Sequence, residues 1–152
     1  HYKLNDKSKI LDIGCGKGFL LYEFRKLLPK VSVFGLDISS YAIKNSKKEI
    51  IDFLKVGNAN KLPYESNKFD LVISLNTLHN LYCYDLKSSL KEIERVSKKD
   101  KYICVESYRN EKEKVNLLYW QVTCESFFTP EEWKWFFKES GYKGDYSFIY
   151  FE

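Results

Sequence analysis

The amino-acid sequence predicts a single α/β domain, a three-layer α/β/α sandwich on a mainly parallel sheet. Three observations carry this. Short β-branched runs alternate with amphipathic stretches along the chain, the pattern of βαβ units. The first run ends in Gly14-Cys15-Gly16-Lys17-Gly18, where glycines let a strand turn tightly into a helix. The length of 152 residues, 44% hydrophobic and 30% charged, suits one domain, residues 1–152, around one core.

The first strand is expected over Lys9 to Ile13. Phe19, Leu20, Phe24, Leu27 and Leu28 then recur near helical spacing, with Glu23, Arg25 and Lys26 opposite them, until Pro29 stops the helix. Val31 to Leu36 reads as the second strand. Ser39 or Ser40 caps a helix expected to reach about Asp52, followed by a short third strand from Phe53 to Gly57 and a polar loop from Asn58 to Lys68. The aliphatics Leu71, Val72, Ile73 and Leu75 make Phe69 to Leu75 a central strand covered on both faces. Asp85 is placed as the cap of the next helix, whose Leu86, Leu90, Ile93 and Val96 share one face. Lys98-Lys99-Asp100 reads as a turn. Tyr102 to Val105 is the fifth strand, and Lys112 to Cys124 a helix without a clean apolar stripe. Thr129-Pro130-Glu131-Glu132 combines a capping Thr, Pro at the first helical position and an acid at the capping-box position, so a helix runs through Ser140 until Gly141 ends it. Ser147 to Phe151 is a last strand.

Charge and cysteine usage exclude several classes. A net charge of +4, with only Arg25, Arg95 and Arg109 as arginines, is no nucleic-acid footprint, so no nucleic-acid partner is expected. No apolar run approaches the ~18 residues of a membrane span and His1-Tyr2-Lys3-Leu4 has no signal-peptide pattern, so a cytoplasmic protein off the membrane is expected. A first residue of His and the lack of any Met predict a domain trimmed at its N-terminus. Cys15, Cys83, Cys104 and Cys124 form no CxxC pair and two histidines cannot complete a site, so no metal is expected.

The chemistry concentrates where the first strand meets the glycines. Bare main chain at a helix N-terminus lets a ligand approach closely. Asp37 ends the second strand 19 residues after Gly18, where a carboxylate can accept both ribose hydroxyls of a nucleoside. Asp12, beside the loop, would repel the pyrophosphate of a dinucleotide but suits a ligand that carries a cation, as do aromatic faces.

These residues resemble the class I S-adenosylmethionine-dependent methyltransferases, over nearly the whole chain. The resemblance implies a Rossmann-like methyltransferase sheet with S-adenosyl-L-methionine as cofactor and S-adenosyl-L-homocysteine as product. Asp12, Gly14, Cys15, Gly16 and Gly18 match the family's first motif, which wraps the methionine part. Asp37 matches the ribose-binding acid, with Ile38 beside it against the adenine. Gly57-Asn58-Ala59-Asn60-Lys61-Leu62-Pro63-Tyr64 resembles the loop that holds the adenine amino group, with Asn58 replacing the usual Asp and weaker binding implied. Phe69-Asp70-Leu71-Val72-Ile73 followed by Leu78-His79 resembles the fourth-strand motif and the segment after it, which line the methyl-transfer site, and the resemblance implies that Ser74, Leu75 and Asn76 bind the cofactor. Two features depart from the family: the usual closing hairpin is reduced to one strand, and a helix ahead of the first strand is absent.

Methyl transfer from an activated sulfonium needs chiefly a well-placed nucleophile, and a general base helps when the acceptor is a hydroxyl or a protonated nitrogen. His79 is the candidate base, against a structural or substrate-contacting role; Glu106 and Tyr108, past the fifth strand, are candidates to hold the acceptor. Of the 26 aromatic residues, 15 lie from Tyr102 onward. Trp133, Phe136 and Phe137 read as core, whereas Tyr119, Trp120, Phe127 and Phe128 read equally as core or as a lid. The expected partner is a small-molecule acceptor methylated on O or N, less readily on C, and a homodimer is compatible with the sequence. Two alternatives stay open: a module that binds the cofactor without turnover, and an NAD(P)-dependent oxidoreductase, which Asp12 and the glycine spacing disfavour.

Overall fold

The computed structural model describes residues 1–152. In chain order the elements are β1 (Lys9–Ile13), α1 (Phe19–Leu27), β2 (Ser32–Asp37), α2 (Ser40–Lys44), β3 (Leu54–Val56), β4 (Phe69–Leu75), α3 (Cys83–Val96), β5 (Ser97–Glu106), α4 (Glu111–Trp120), α5 (Pro130–Glu139) and β6 (Asp145–Ile149). Single 3-10 turns occupy Ile51–Phe53 and Leu78–Asn80. The sheet order is β3-β2-β1-β4-β5-β6 and every neighbouring pair is parallel. Strand order reverses between β1 and β4, and a crevice opens at that point beyond the carboxyl ends of the strands.

Apolar residues alternate between two cores, as strands covered on both faces require. Leu11, Ile13, Val72, Ile103 and Val105 face one core, which α3 fills with Leu86, Leu90, Ile93 and Val96 and α5 with Trp133 and Phe137. Ile10, Val33, Leu71 and Ile73 face the other, beneath Leu21 of α1 and Ile43 of α2. Trp133 is fully buried, stacks 5.4 Å from Phe137, and donates its indole N–H to the Glu106 carbonyl at 3.1 Å. Trp133→Ala is expected to cost about 3–5 kcal/mol, read as a lowered urea midpoint.

Several elements differ from expectation. The buried face of α1 carries Leu21, with Leu20 and Phe24 beside it, while Phe19 and Leu27 are exposed. Ser39 does cap α2 by accepting from the Ala42 N–H, but the helix stops at Lys44 because Asn45 and Ser46 turn their side chains onto the Tyr41 and Ala42 carbonyls. The chain then delivers fully buried Ile50 to the core through a tight turn. Lys98-Lys99-Asp100 is strand, not turn: β5 begins directly after α3, and a bulge opposite Phe69–Leu71 absorbs the extra residue. Asp85 does not cap α3, whose N-cap is Tyr82; its carboxylate instead accepts from Asn60 at 2.7 Å. The last strand starts earlier than expected, at Asp145, and pairs parallel to β5. The capping box at Thr129 and the left-handed Gly141 stand as expected. No helix is long and apolar enough to cross a membrane.

Candidate functional site

The glycine loop between β1 and α1 places three residues in left-handed backbone, Gly14 at φ 77°, Gly16 at 53° and Gly18 at 71°. The three positions are not equivalent. A Cβ on Gly14 would lie 1.9 Å from the Thr77 hydroxyl, and one on Gly18 2.8 Å from Leu54, whereas a Cβ on Gly16 would meet nothing within 4 Å. Gly14 and Gly18 are therefore glycine for packing, and Gly16 leaves bare backbone facing open space. Thr77 donates to the Leu75 carbonyl at 3.0 Å and to that of Gly14 at 3.4 Å, so the loop after β4 is clamped onto the glycine loop.

Asp37 is held open for a ligand by the same loop. One carboxylate oxygen accepts from the Gly16 N–H and the other from the Ser39 N–H, both at 2.8 Å, which leaves a lone pair on each for further donors. The cleft around it is lined by Ile13, Gly14, Leu36, Asp37, Ile38, Gly57, Asn58, Ala59, Thr77 and Leu81. Of the residues singled out in the sequence, Gly14, Asp37, Ile38, Asn58 and Ala59 meet here. The Asn58 side-chain Oδ1 already accepts from the Asn60 N–H at 3.1 Å, a turn that fixes the loop. Thr77 and Leu81 were not anticipated; nothing in the sequence set them apart, since their place depends on how the segment after β4 folds back.

Asp12 lies beside the loop with 4% exposure and accepts no hydrogen bond from the protein. Burial, then the nearby Asp37 carboxylate, pushes its carboxyl up to about 7. A buried acid without a partner fits a cationic ligand group. Cys15, packed in the core beneath, has its thiol raised well above its ordinary range by burial and by the same two acids, and is not a nucleophile at neutral pH. Ser74 is buried and donates to the Ile13 carbonyl at 2.9 Å, joining β4 to β1, while Leu75 and Asn76 are exposed at the strand end.

The candidate catalytic residues form a second group. His79 is fully buried and Glu106 3% exposed, with His79 Nε2 and Glu106 Oε2 3.4 Å apart. His79 Nδ1 accepts from the Glu106 N–H at 3.4 Å, and Gln121, which the sequence did not flag, donates to Glu106 Oε1 at 2.6 Å. Burial lowers His79 to about 4, so its imidazole favours the neutral form, while burial raises the Glu106 carboxyl and the Gln121 hydrogen bond opposes that rise. His79 thus faces Glu106, and none of His79, Glu106 and Tyr108 lines the cleft that holds Asp37. Tyr108 is half-buried, with the Lys114 ammonium 5.3 Å over its ring. Of the late aromatics, Phe128 packs edge-on against Trp133 and tilted against Phe136 at the core, whereas Tyr119 and Trp120 are 84% and 74% exposed.

Residues 4–141 match the family model described as a methyltransferase domain. Among curated relatives, an uncharacterised methyltransferase of Schizosaccharomyces pombe is 34% identical over 64% of this chain and 38% of its own length. The mouse mitochondrial arginine-hydroxylase NDUFAF5 is 36% identical over 59% of this chain and 26% of its own. The chain therefore spans only about a quarter to two fifths of these relatives. Among solved structures, the YcgJ protein of Bacillus subtilis matches 91% of this chain and 63% of its own with a TM-score of 0.73 at 20% identity, a likeness of fold. PKMT2 of Rickettsia typhi, solved in complex with AdoHcy, matches 62% of this chain and 19% of its own with a TM-score of 0.54 at 26% identity. A glycine loop at the switch point, an acid ending β2 and a match over residues 4–141 agree, and the chain belongs to the methyltransferase domain family.

Proposed function

We propose that this domain binds S-adenosyl-L-methionine in the Asp37 cleft and transfers its methyl group to an oxygen or nitrogen of a small-molecule acceptor. The observation that carries the reading is the buried Asp12 at the foot of the glycine loop, close enough to the Asp37 carboxylate to be held up by it, a place for a cationic aminoacyl group next to a ribose-binding acid. When bound, the cofactor supplies an electrophilic methyl group. Asp37 would take the ribose hydroxyls on its free lone pairs. Ile38, Ala59 and Leu81 would flank the base, with the Asn58 side chain as its polar partner, and Gly14, Cys15, Gly16 and Gly18 would wrap the methionine part. Leu75 and Asn76, at the end of β4, would border the reacting centre.

Glu106 would accept the acceptor's proton. Its desolvated carboxylate is more basic than an exposed one, and His79 would fix its direction; Tyr108 would help seat the acceptor. A protein-borne acceptor is the second reading, favoured by the outward-facing Tyr119, Trp120 and Val122.

The test is calorimetric titration with S-adenosylhomocysteine, with NAD in parallel. Micromolar binding that Asp37→Ala weakens at least about 100-fold, and no response to NAD, is the expected result, because two hydrogen bonds to a charged group are lost. Binding of NAD with indifference to S-adenosylhomocysteine would overturn the reading. Labelled cofactor with small acceptors and with peptides then separates the two acceptor classes, and Glu106→Gln should slow turnover about 10²–10⁴-fold.

A further inference from the structure

The Glu106 carboxylate is held from three directions, and only one of its partners is adjustable. The β5 strand end fixes its backbone, whose carbonyl accepts from Trp133 of α5 at 3.1 Å. The turn Leu78–Asn80 brings His79 against Oε2, and that turn is itself pinned, because the His79 carbonyl accepts from the N–H groups of Glu125 and Ser126 at 3.0 Å each. With Nδ1 accepting from the Glu106 N–H, the single proton of neutral His79 sits on Nε2, aimed at Oε2. Nε2 and Oε2 lie 3.4 Å apart, both are buried, and neither makes a hydrogen bond. The remaining oxygen, Oε1, is met by Gln121 at 2.6 Å from the C-cap of α4.

We infer that Gln121 is a positioning residue: its amide, presented from the end of α4, orients Glu106 and sets how readily that carboxylate takes a proton. The inference rests on Glu106 being the proton acceptor proposed above. The titratable groups that face Glu106 are His79 from the Leu78–Asn80 turn and the Cys124 thiol from the segment after α4. Burial raises the Glu106 carboxyl, and the Gln121 hydrogen bond opposes it. A neutral amide thus does here what an arginine would overdo, lowering the proton affinity without abolishing it. Because Gln121 is half-buried at a helix end, its side chain can be exchanged without opening the core.

The experiment follows the Glu side-chain carboxyl carbons and the His79 ring nitrogens by NMR across a pH titration of the whole domain. Glu106→Gln identifies the Glu106 signal. Gln121→Leu should raise the Glu106 midpoint by about one pH unit, and Gln121→Lys should lower it by a similar amount. A reversal of sign is beyond a merely structural effect, which would move both variants the same way. The native His79 should show its proton on Nε2. Unshifted midpoints, shifts of one sign, or a proton on Nδ1 would each overturn the inference. If Gln121→Leu fails to fold, Gln121→Lys and the native tautomer still decide it. Methyl transfer that survives Glu106→Gln would remove Glu106 as proton acceptor while leaving the Gln121 titration result standing, so the two readings fail separately.

Discussion

Gly14→Ala is expected to destabilise the domain by about 2–5 kcal/mol and to abolish S-adenosylhomocysteine binding. Two costs combine. The left-handed backbone at φ 77° costs an L-residue about 1–2 kcal/mol. The added methyl would also lie 1.9 Å from the Thr77 hydroxyl and 2.5 Å from its Cβ, an overlap that forces the two loops apart at about 1–3 kcal/mol. Denaturant midpoints of Gly14→Ala, Thr77→Gly and the double variant measure the second part directly. A coupling of about 1–3 kcal/mol is expected, and additive effects would show that the overlap relaxes freely. Gly16→Ala is the control: with no atom within 4 Å of its Cβ it should lose only the backbone part of stability, while its methyl intrudes on the open side of the loop and weakens binding.

Asp12→Asn should separate stability from binding, raising the first and destroying the second. The Asp12 carboxyl is pushed up to about 7 in the folded protein, from 3.8. Protonation of the folded form therefore stabilises it fully below about pH 4, and this contribution is lost as pH rises through 7. The melting advantage of the variant should open between those values and level off above 7, at on the order of 3–4 kcal/mol. A cationic ligand favours the ionised acid, so binding to the native domain should tighten as pH rises from 6 to 8 and should release about half a proton near pH 7. Titrations in two buffers of different ionisation enthalpy count that proton. A variant no more stable than the native domain at pH 8, with pH-independent binding, would mean that Asp12 is charged and solvated before the ligand arrives.

The parts of this fold legible in the sequence are those whose cause is local. The capping box at Thr129, the stripe Leu86, Leu90, Ile93 and Val96, the aliphatic run of β4 and the glycine turn each depend on residues a few positions apart. The misplaced boundaries depend on distant partners. Lys98 to Asp100 carry turn-forming residues, yet they extend a strand because Phe69 to Leu71 lie alongside to pair with them and Asp70 accepts from Lys98 at 2.8 Å. Asp85 looks like a helix cap, but Asn60, 25 positions away, takes its carboxylate. The same division runs through the candidate site. Asp37, Ile38, Asn58 and Ala59 sit at strand ends, where position along the chain already implies position in the cleft. Thr77, Leu81 and Gln121 acquire their neighbours only when the loops after β4 and α4 fold back, and neither period nor composition marks them.

The all-parallel sheet also governs how this chain comes together. No two adjacent strands can be joined by a hairpin, so every pairing waits for a crossover to close. The central pair, β1 with β4, joins Ile10 to Leu71, residues 61 positions apart. The crevice that holds Asp37 is formed by that pairing, so the cleft cannot exist until the whole stretch from β1 to β4 has been ordered. Folding should accordingly be slow for a domain of this size, in the millisecond-to-second range of topologies dominated by non-local contacts. During synthesis the chain should gain the ability to hold its ligand abruptly, when β4 docks, and not in proportion to the length made.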